Sequence, residues 1–148
     1  MLFRSVDCDE EIQAAAGGIS TADIFELYGE AAFRDGEKRV VARLIEGPVR
    51  IVATGGGAFA NPATRALANA RAITIWLDAP VAVLADRTAR TDTRPLLRGP
   101  DRVAVLERLL ADRRDAYASA HLHITSSQDA HGQVIESIMS ALEGYLPQ

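Results

Sequence analysis

Cysteine is almost absent from this 148-residue chain: Cys8 is the only one. That excludes an intrachain disulfide and any cysteine-based metal cluster. No apolar run approaches the ~20 residues that span a bilayer, and no signal peptide opens the chain. A cytoplasmic protein without a membrane partner is therefore expected. Lysine is as scarce as cysteine, with Lys38 alone among 16 Lys and Arg residues. Lys38 falls in a helical stretch, so no G-x-x-x-x-G-K-[ST] phosphate loop exists in these residues. The net charge of -4 argues against nucleic acid as a partner.

What is present fits one soluble α/β domain. The hydrophobic fraction of 48% and charged fraction of 24% are ordinary for a globular protein. Short β-branched runs end at Val6, Ala53, Leu77 and Thr125, with helical patterns between them and no hairpin signal. That alternation predicts parallel strands joined by helical crossovers, a three-layer α/β fold. Arg50–Ala53 reads as a buried strand, and Ala72–Leu77 as a strand buried on both faces. Gly17-Gly18 should end the first helix, and Ser20 with Asp23 should cap the second. Gly29 should interrupt that helix before a run from about Glu30 to Ile45. There Phe33, Val40, Val41 and Leu44 form the buried stripe. Asn61-Pro62 has the form of a cap followed by proline at the first helical position. Asp101 should cap a long helix reaching about Ala120.

Four features carry candidate chemistry. Thr54-Gly55-Gly56-Gly57 follows a strand, where backbone free of Cβ atoms can take positive φ and let a ligand approach its N–H groups; a plain tight turn would look the same. Asp7 and Asp9 flank Cys8 at a strand end, where spacing i, i+2 would put both carboxylates on one face. Asp9 could equally cap the following helix. Arg34 and Glu37 lie three apart on a helix, the spacing of an exposed ion pair worth little. Arg87, Arg90, Arg94, Arg98 and Arg102 crowd a Pro/Gly-containing segment with only Asp92 and Asp101 among them. A basic loop of this kind suits a polyanionic ligand. Cys8 reads as a small filler whose thiolate the adjacent acids disfavour. His121, His123 and His131 are not spaced with acids as a metal site would be.

Taken in order, Asp7-Cys8-Asp9, Phe33-Arg34-Asp35-Gly36-Glu37, Thr54 to Phe59, Trp76-Leu77-Asp78, Arg94-Pro95-Leu96-Leu97 and Arg113-Arg114-Asp115-Ala116-Tyr117 resemble the shikimate kinase family over the whole chain. The resemblance implies ATP-dependent phosphorylation of the shikimate 3-hydroxyl, with magnesium, in aromatic amino-acid biosynthesis. It implies an α/β three-layer parallel sheet of the P-loop small-molecule kinase type, as one domain with a lid over about 88–101. It assigns Asp9 to the reacting hydroxyl, Arg34 and Arg113 to the shikimate carboxylate, and Gly55, Gly56 and Gly57 to backbone contacts with substrate. Arg94 is assigned to the phosphates and to catalysis, Arg87 to the adenine side, and Asp7 to magnesium through water. Phe25, Phe33, Pro95 and Leu96 would wall the pocket. The partners implied are shikimate and ATP, the full-length protein acting as a monomer.

Set against the family, the chain lacks the first strand, the P-loop and the first helix. It therefore reads as a truncated or misannotated start. As written it is expected to be unstable, poorly soluble or rearranged around the vacated strand position, and to transfer no phosphoryl group on its own. Gluconate or nucleoside-monophosphate kinase-like activity, or a non-catalytic ligand-binding relative, are the competing readings.

Overall fold

A computed structural model of the chain describes residues 4–90, 95–126 and 131–147. Among the described residues the strands form two separate two-stranded sheets, β1–β2 and β3–β4, and both pairs are parallel. The chain divides into two compact units, Met1–Ala72 with Thr93–Pro95, and Ile73–Asp92 with Leu96–Gln148.

In the first unit β1 (Ser5–Asp7) leads directly into α1 (Cys8–Ala15), followed by α2 (Thr21–Glu46), β2 (Ile51–Ala53) and α3 (Pro62–Arg71). Strand register places Ser5, Val6 and Asp7 opposite Ile51, Val52 and Ala53. Gly17 and Gly18 end α1 at φ 72° and 93°, a left-handed conformation that glycine adopts without strain. Ser20 caps α2: its Oγ accepts from the Asp23 N–H at 3.1 Å and donates to the Asp23 carboxylate at 2.7 Å. The second bond joins the two side chains and leaves the Ser20 backbone N–H outside the contact, so the capping box is only half formed. Gly29, at φ 84°, kinks α2 as the sequence suggested. Beyond the kink Phe33, Val40, Val41 and Leu44 are buried and pack with Cys8, Ile12, Ile24 and Ala58 into one core. The Asn61 carboxamide accepts from the Ala63 and Thr64 N–H groups, with Pro62 in the first turn of α3. Proline costs nothing there, because that N–H has no helical partner.

The second unit runs β3 (Ile75–Asp78), α4 (Val81–Ala89), α5 (Arg102–Ala118), β4 (Leu122–Thr125) and α6 (His131–Tyr145). A 3-10 turn at Pro95–Leu97 precedes α5. Asp101 stands at the cap position of α5, but its side chain makes no capping hydrogen bond, contrary to expectation. Two histidines tie β3 to β4. The His121 Nδ1 accepts from the Thr74 backbone N–H at 3.1 Å, and the His121 backbone N–H donates to the Thr74 hydroxyl at 3.0 Å. His123 stacks on Trp76 with ring centroids 4.1 Å apart and sets Nε2 3.0 Å from the Asp78 carboxylate. The parallel register explains a pairing that linear spacing concealed: it places His123 beside Trp76, two residues before Asp78.

Neither expected strand is as buried as its sequence suggested. In β2 only Val52 packs toward the core, while Ile51 is 59% exposed, so one face alone of this short ribbon is covered. In β3 Leu77 is 54% exposed while Ile75 and Trp76 are partly buried. An unbroken apolar run does not distinguish one covered face from two. Among the described residues no helix is long and apolar enough to cross a membrane.

Candidate active site

The site begins where β1 ends. The strand stops at Asp7, and the backbone turns into α1 at Cys8, so Asp9 belongs to the helix rather than the strand. The two carboxylates therefore do not share a strand face. The cap of α1 is Asp7, not Asp9: Asp7 Oδ1 accepts from the Asp9 N–H at 2.8 Å. That capping satisfies one of the helix's orphan donors and leaves Asp9 partly buried in the first turn.

From α2, Arg34 and Glu37 converge on the same place. The Arg34 Nη1 donates to Glu37 Oε1 at 2.8 Å, and its Nε lies 3.6 Å from the Glu30 carboxylate. This is no exposed helical pair. The Glu37 side chain is 4% exposed and that of Arg34 24%. A signal for it lay in the sequence: Glu37 falls four residues after Phe33 and four before Val41, inside the buried stripe. An acid on that stripe must have a partner within the fold. The Arg34 guanidinium also lies 5.1 Å from the Phe33 ring centroid, and Phe33 in turn packs on Phe25 at 5.7 Å.

The glycine run after β2 closes the cluster. A Cβ placed on Gly55 would lie 3.6 Å from Glu37 Oε2 and 3.8 Å from Asp9 Oδ1. One placed on Gly57 would fall 2.3 Å from Arg34 Nη1. Asp9, Arg34, Glu37, Gly55 and Gly57 are thus brought together. None of the three glycines has positive φ, so the conformational freedom anticipated for the run is not what it supplies. Close approach is the reason for glycine here, at Gly57 above all. Gly56 is exposed between its buried and half-buried neighbours.

Cys8, at the centre of these acids, is fully buried. Burial first, and then the negative charges of Glu37, Asp9, Asp7 and Glu11, push its thiol up from 9.0 to about 12. It remains a protonated filler rather than a nucleophile.

Arg87 and Arg113 belong to the second unit. Arg87, near the end of α4, donates to the Ser126 hydroxyl at 3.2 Å. Arg113 is half-buried on α5, while Arg114 beside it lies 5.9 Å from the Trp76 ring centroid. Arg94 and the adjoining 91–93 lie outside the described residues, so the centre of the expected lid does too. Pro95 and Leu96 lie in the 3-10 turn.

A family model described as shikimate kinase matches residues 2–143. The chain belongs to the shikimate kinase family. The shikimate kinase of Caulobacter vibrioides is 50% identical over 136 residues, covering 92% of this chain and 68% of the relative. That of Novosphingobium aromaticivorans is 43% identical over 145 residues, covering 95% and 75%. Among solved structures, a shikimate kinase from Acinetobacter baumannii in complex with shikimate aligns at a TM-score of 0.92 with 31% identity, over 99% of this chain and 82% of that one. The Aquifex aeolicus shikimate kinase aligns at 0.78 with 32% identity, over 97% and 83%. These likenesses bear out the α/β fold of the P-loop kinase type.

For a family member, the described residues offer magnesium little by themselves. No group of three His, Cys, Asp or Glu side chains converges, and no buried polar side-chain atom among the described residues lacks a hydrogen bond. Asp7 is exposed with one carboxylate oxygen engaged in capping. That donor set fits an outer contact through water and does not fit a closed metal cage.

Proposed function

We propose that this shikimate kinase family member holds shikimate, with Asp9, Arg34 and the glycine run after β2, for ATP-dependent phosphorylation of the 3-hydroxyl to shikimate 3-phosphate. The observation that carries the reading is the Arg34 guanidinium, fixed by Glu37 and laid against Gly57, with Asp9 facing Gly55 close by. A planar guanidinium with its orientation set in advance suits bidentate capture of a carboxylate, and lysine could not replace it. The family resemblance assigns Arg113 to the same carboxylate. Gly55, Gly56 and Gly57 offer backbone N–H groups to the bound acid.

Phosphoryl transfer asks a protein mainly for positioning and charge neutralisation. In this reading Asp9 hydrogen-bonds the reacting hydroxyl and accepts its proton as the new P–O bond forms. The family resemblance assigns Phe25, Phe33, Pro95 and Leu96 to the pocket wall, Arg94 to the phosphates and Arg87 to the adenine side of ATP. Magnesium, when bound, shields the phosphate charge, and Asp7 supports its water shell. The enzyme works as a cytoplasmic monomer in aromatic amino-acid biosynthesis. These 148 residues contain no phosphate-loop motif, so the chain by itself binds the acceptor without turning over ATP.

Calorimetric titration with shikimate, gluconate and a nucleoside monophosphate tests the reading. Shikimate should bind and the other two should not. Tighter binding of gluconate or of the nucleotide would move the chain to a different acceptor class.

A further inference from the structure

Of the two glycines in the run whose surroundings can be compared, one is required by its neighbours and the other is not. A Cβ on Gly55 would meet Glu37 and Asp9 oxygens at 3.6 and 3.8 Å, ordinary contact distances. A Cβ on Gly57 would overlap three atoms of the Arg34 guanidinium, Nη1 at 2.3 Å and Cζ and Nη2 both at 2.4 Å. Gly57 does not have positive φ, so alanine fits its backbone conformation and the conflict is entirely with Arg34. Gly57 is buried, and the guanidinium covers the side from which a side chain would project. On its other flank the same guanidinium is held by the nearly inaccessible Glu37 at 2.8 Å.

We infer that Gly57 is a positioning residue for acceptor binding: its missing side chain seats the Arg34 guanidinium between the glycine backbone and Glu37, fixing the plane in which Arg34 meets a carboxylate. This rests on the proposed role of Arg34 as the carboxylate grip and adds a second task for the third glycine besides offering its N–H. The clash falls on the far end of a flexible side chain, so Gly57→Ala displaces Arg34 and leaves the backbone path intact. Arg34 then reaches the carboxylate with the wrong plane, and the bidentate geometry is lost.

The test is a double-mutant cycle on the 148-residue chain, using Gly57→Ala, Arg34→Ala and the double variant. Binding of shikimate and of shikimate methyl ester is measured by calorimetry, with thermal unfolding alongside. Gly57→Ala should weaken shikimate by about ten- to a hundredfold, the range for losing hydrogen bonds to a charged group, and leave the ester unchanged. The double variant should bind no more weakly than Arg34→Ala. Equal losses for acid and ester, or losses that multiply in the double variant, would overturn the inference, because a general structural defect behaves that way. Should Gly57→Ala fail to fold, recovery of folding in the double variant supports the seating, and a double variant that stays unfolded refutes it. If Arg34→Ala leaves shikimate affinity untouched, the carboxylate-grip reading fails. The unfolding data still decide the seating: the midpoint loss caused by Gly57→Ala should vanish in the Arg34→Ala background, and its persistence there would refute it.

Discussion

Replacing Glu37 by glutamine removes one charge from the cluster and changes almost nothing else in shape. The glutamate pairs with Arg34 at 2.8 Å, its side chain is 4% exposed and that of Arg34 is 24% exposed. An exposed helical pair is worth about 0.2–1 kcal/mol, whereas removing one partner of a buried pair costs about 3–5 kcal/mol. Glu37 is the buried member and Arg34 keeps partial access to water, so the expected loss lies between these limits, about 2 kcal/mol. Two effects pull it below the buried limit. Glu30 remains 3.6 Å from the Arg34 Nε, and the Asp9 carboxylate, near the same glycine, loses a like-charged neighbour. Urea unfolding at neutral pH should show the loss as a lower midpoint than that of the parent chain. The difference should persist at about 1 M salt, where an exposed pair is screened and a buried one is not. A loss below about 0.5 kcal/mol, or one that vanishes at high salt, would mean that Glu37 behaves as a surface residue and that Arg34 is not fixed by it.

Two further outcomes follow, one from the same cluster and one from the absence of a P-loop motif in these 148 residues. The Cys8 thiol is raised from 9.0 to about 12 in the folded chain, so above the lower value the unfolded chain has released a proton that the folded chain keeps. Stability is then full below that lower value and falls as pH rises toward the folded value, by at most about 1.4 kcal/mol per pH unit. Unfolding midpoints measured across this window should drop, and Cys8→Ala should flatten the decline; a variant as pH-sensitive as its parent would refute the account of Cys8. Incubated with shikimate and magnesium ATP, the 148-residue chain should form no shikimate 3-phosphate, and product formation would show that phosphates can be held here without a P-loop motif.

Much of the local structure was legible because its causes are local. Ser20 and Asp23, Gly17-Gly18, Gly29 and Asn61-Pro62 mark helix ends and a kink through their own backbone and side-chain chemistry, and the Phe33–Leu44 stripe shows one helical face. What escaped depends on groups distant in sequence. Asp7 and Asp9 both can cap a helix, and only the turn at Cys8 decides that Asp7 does so. Glu37 looked like half of a solvent pair, although its place on the apolar stripe already required a partner. The glycine run pointed to unusual backbone angles, while the structure gives ordinary ones and a guanidinium in the way of a side chain. Burial of β2 and β3 was overestimated because apolar content reports that a strand can be covered and is silent on how many faces are. Among the candidate site residues, the cluster of the first unit could be assembled from motifs, since Asp9, Arg34, Gly55 and Gly57 lie there together. Spacing shows that Glu37 needs a partner within the fold, and the structure identifies that partner as Arg34.

Calorimetric titration of shikimate into the 148-residue chain, run beside its Arg34→Ala variant, tests the central claim most directly. The account predicts a single site in the parent chain and an affinity lower by about ten- to a hundredfold in the variant. No binding by the parent, or equal affinity in the two, would contradict it.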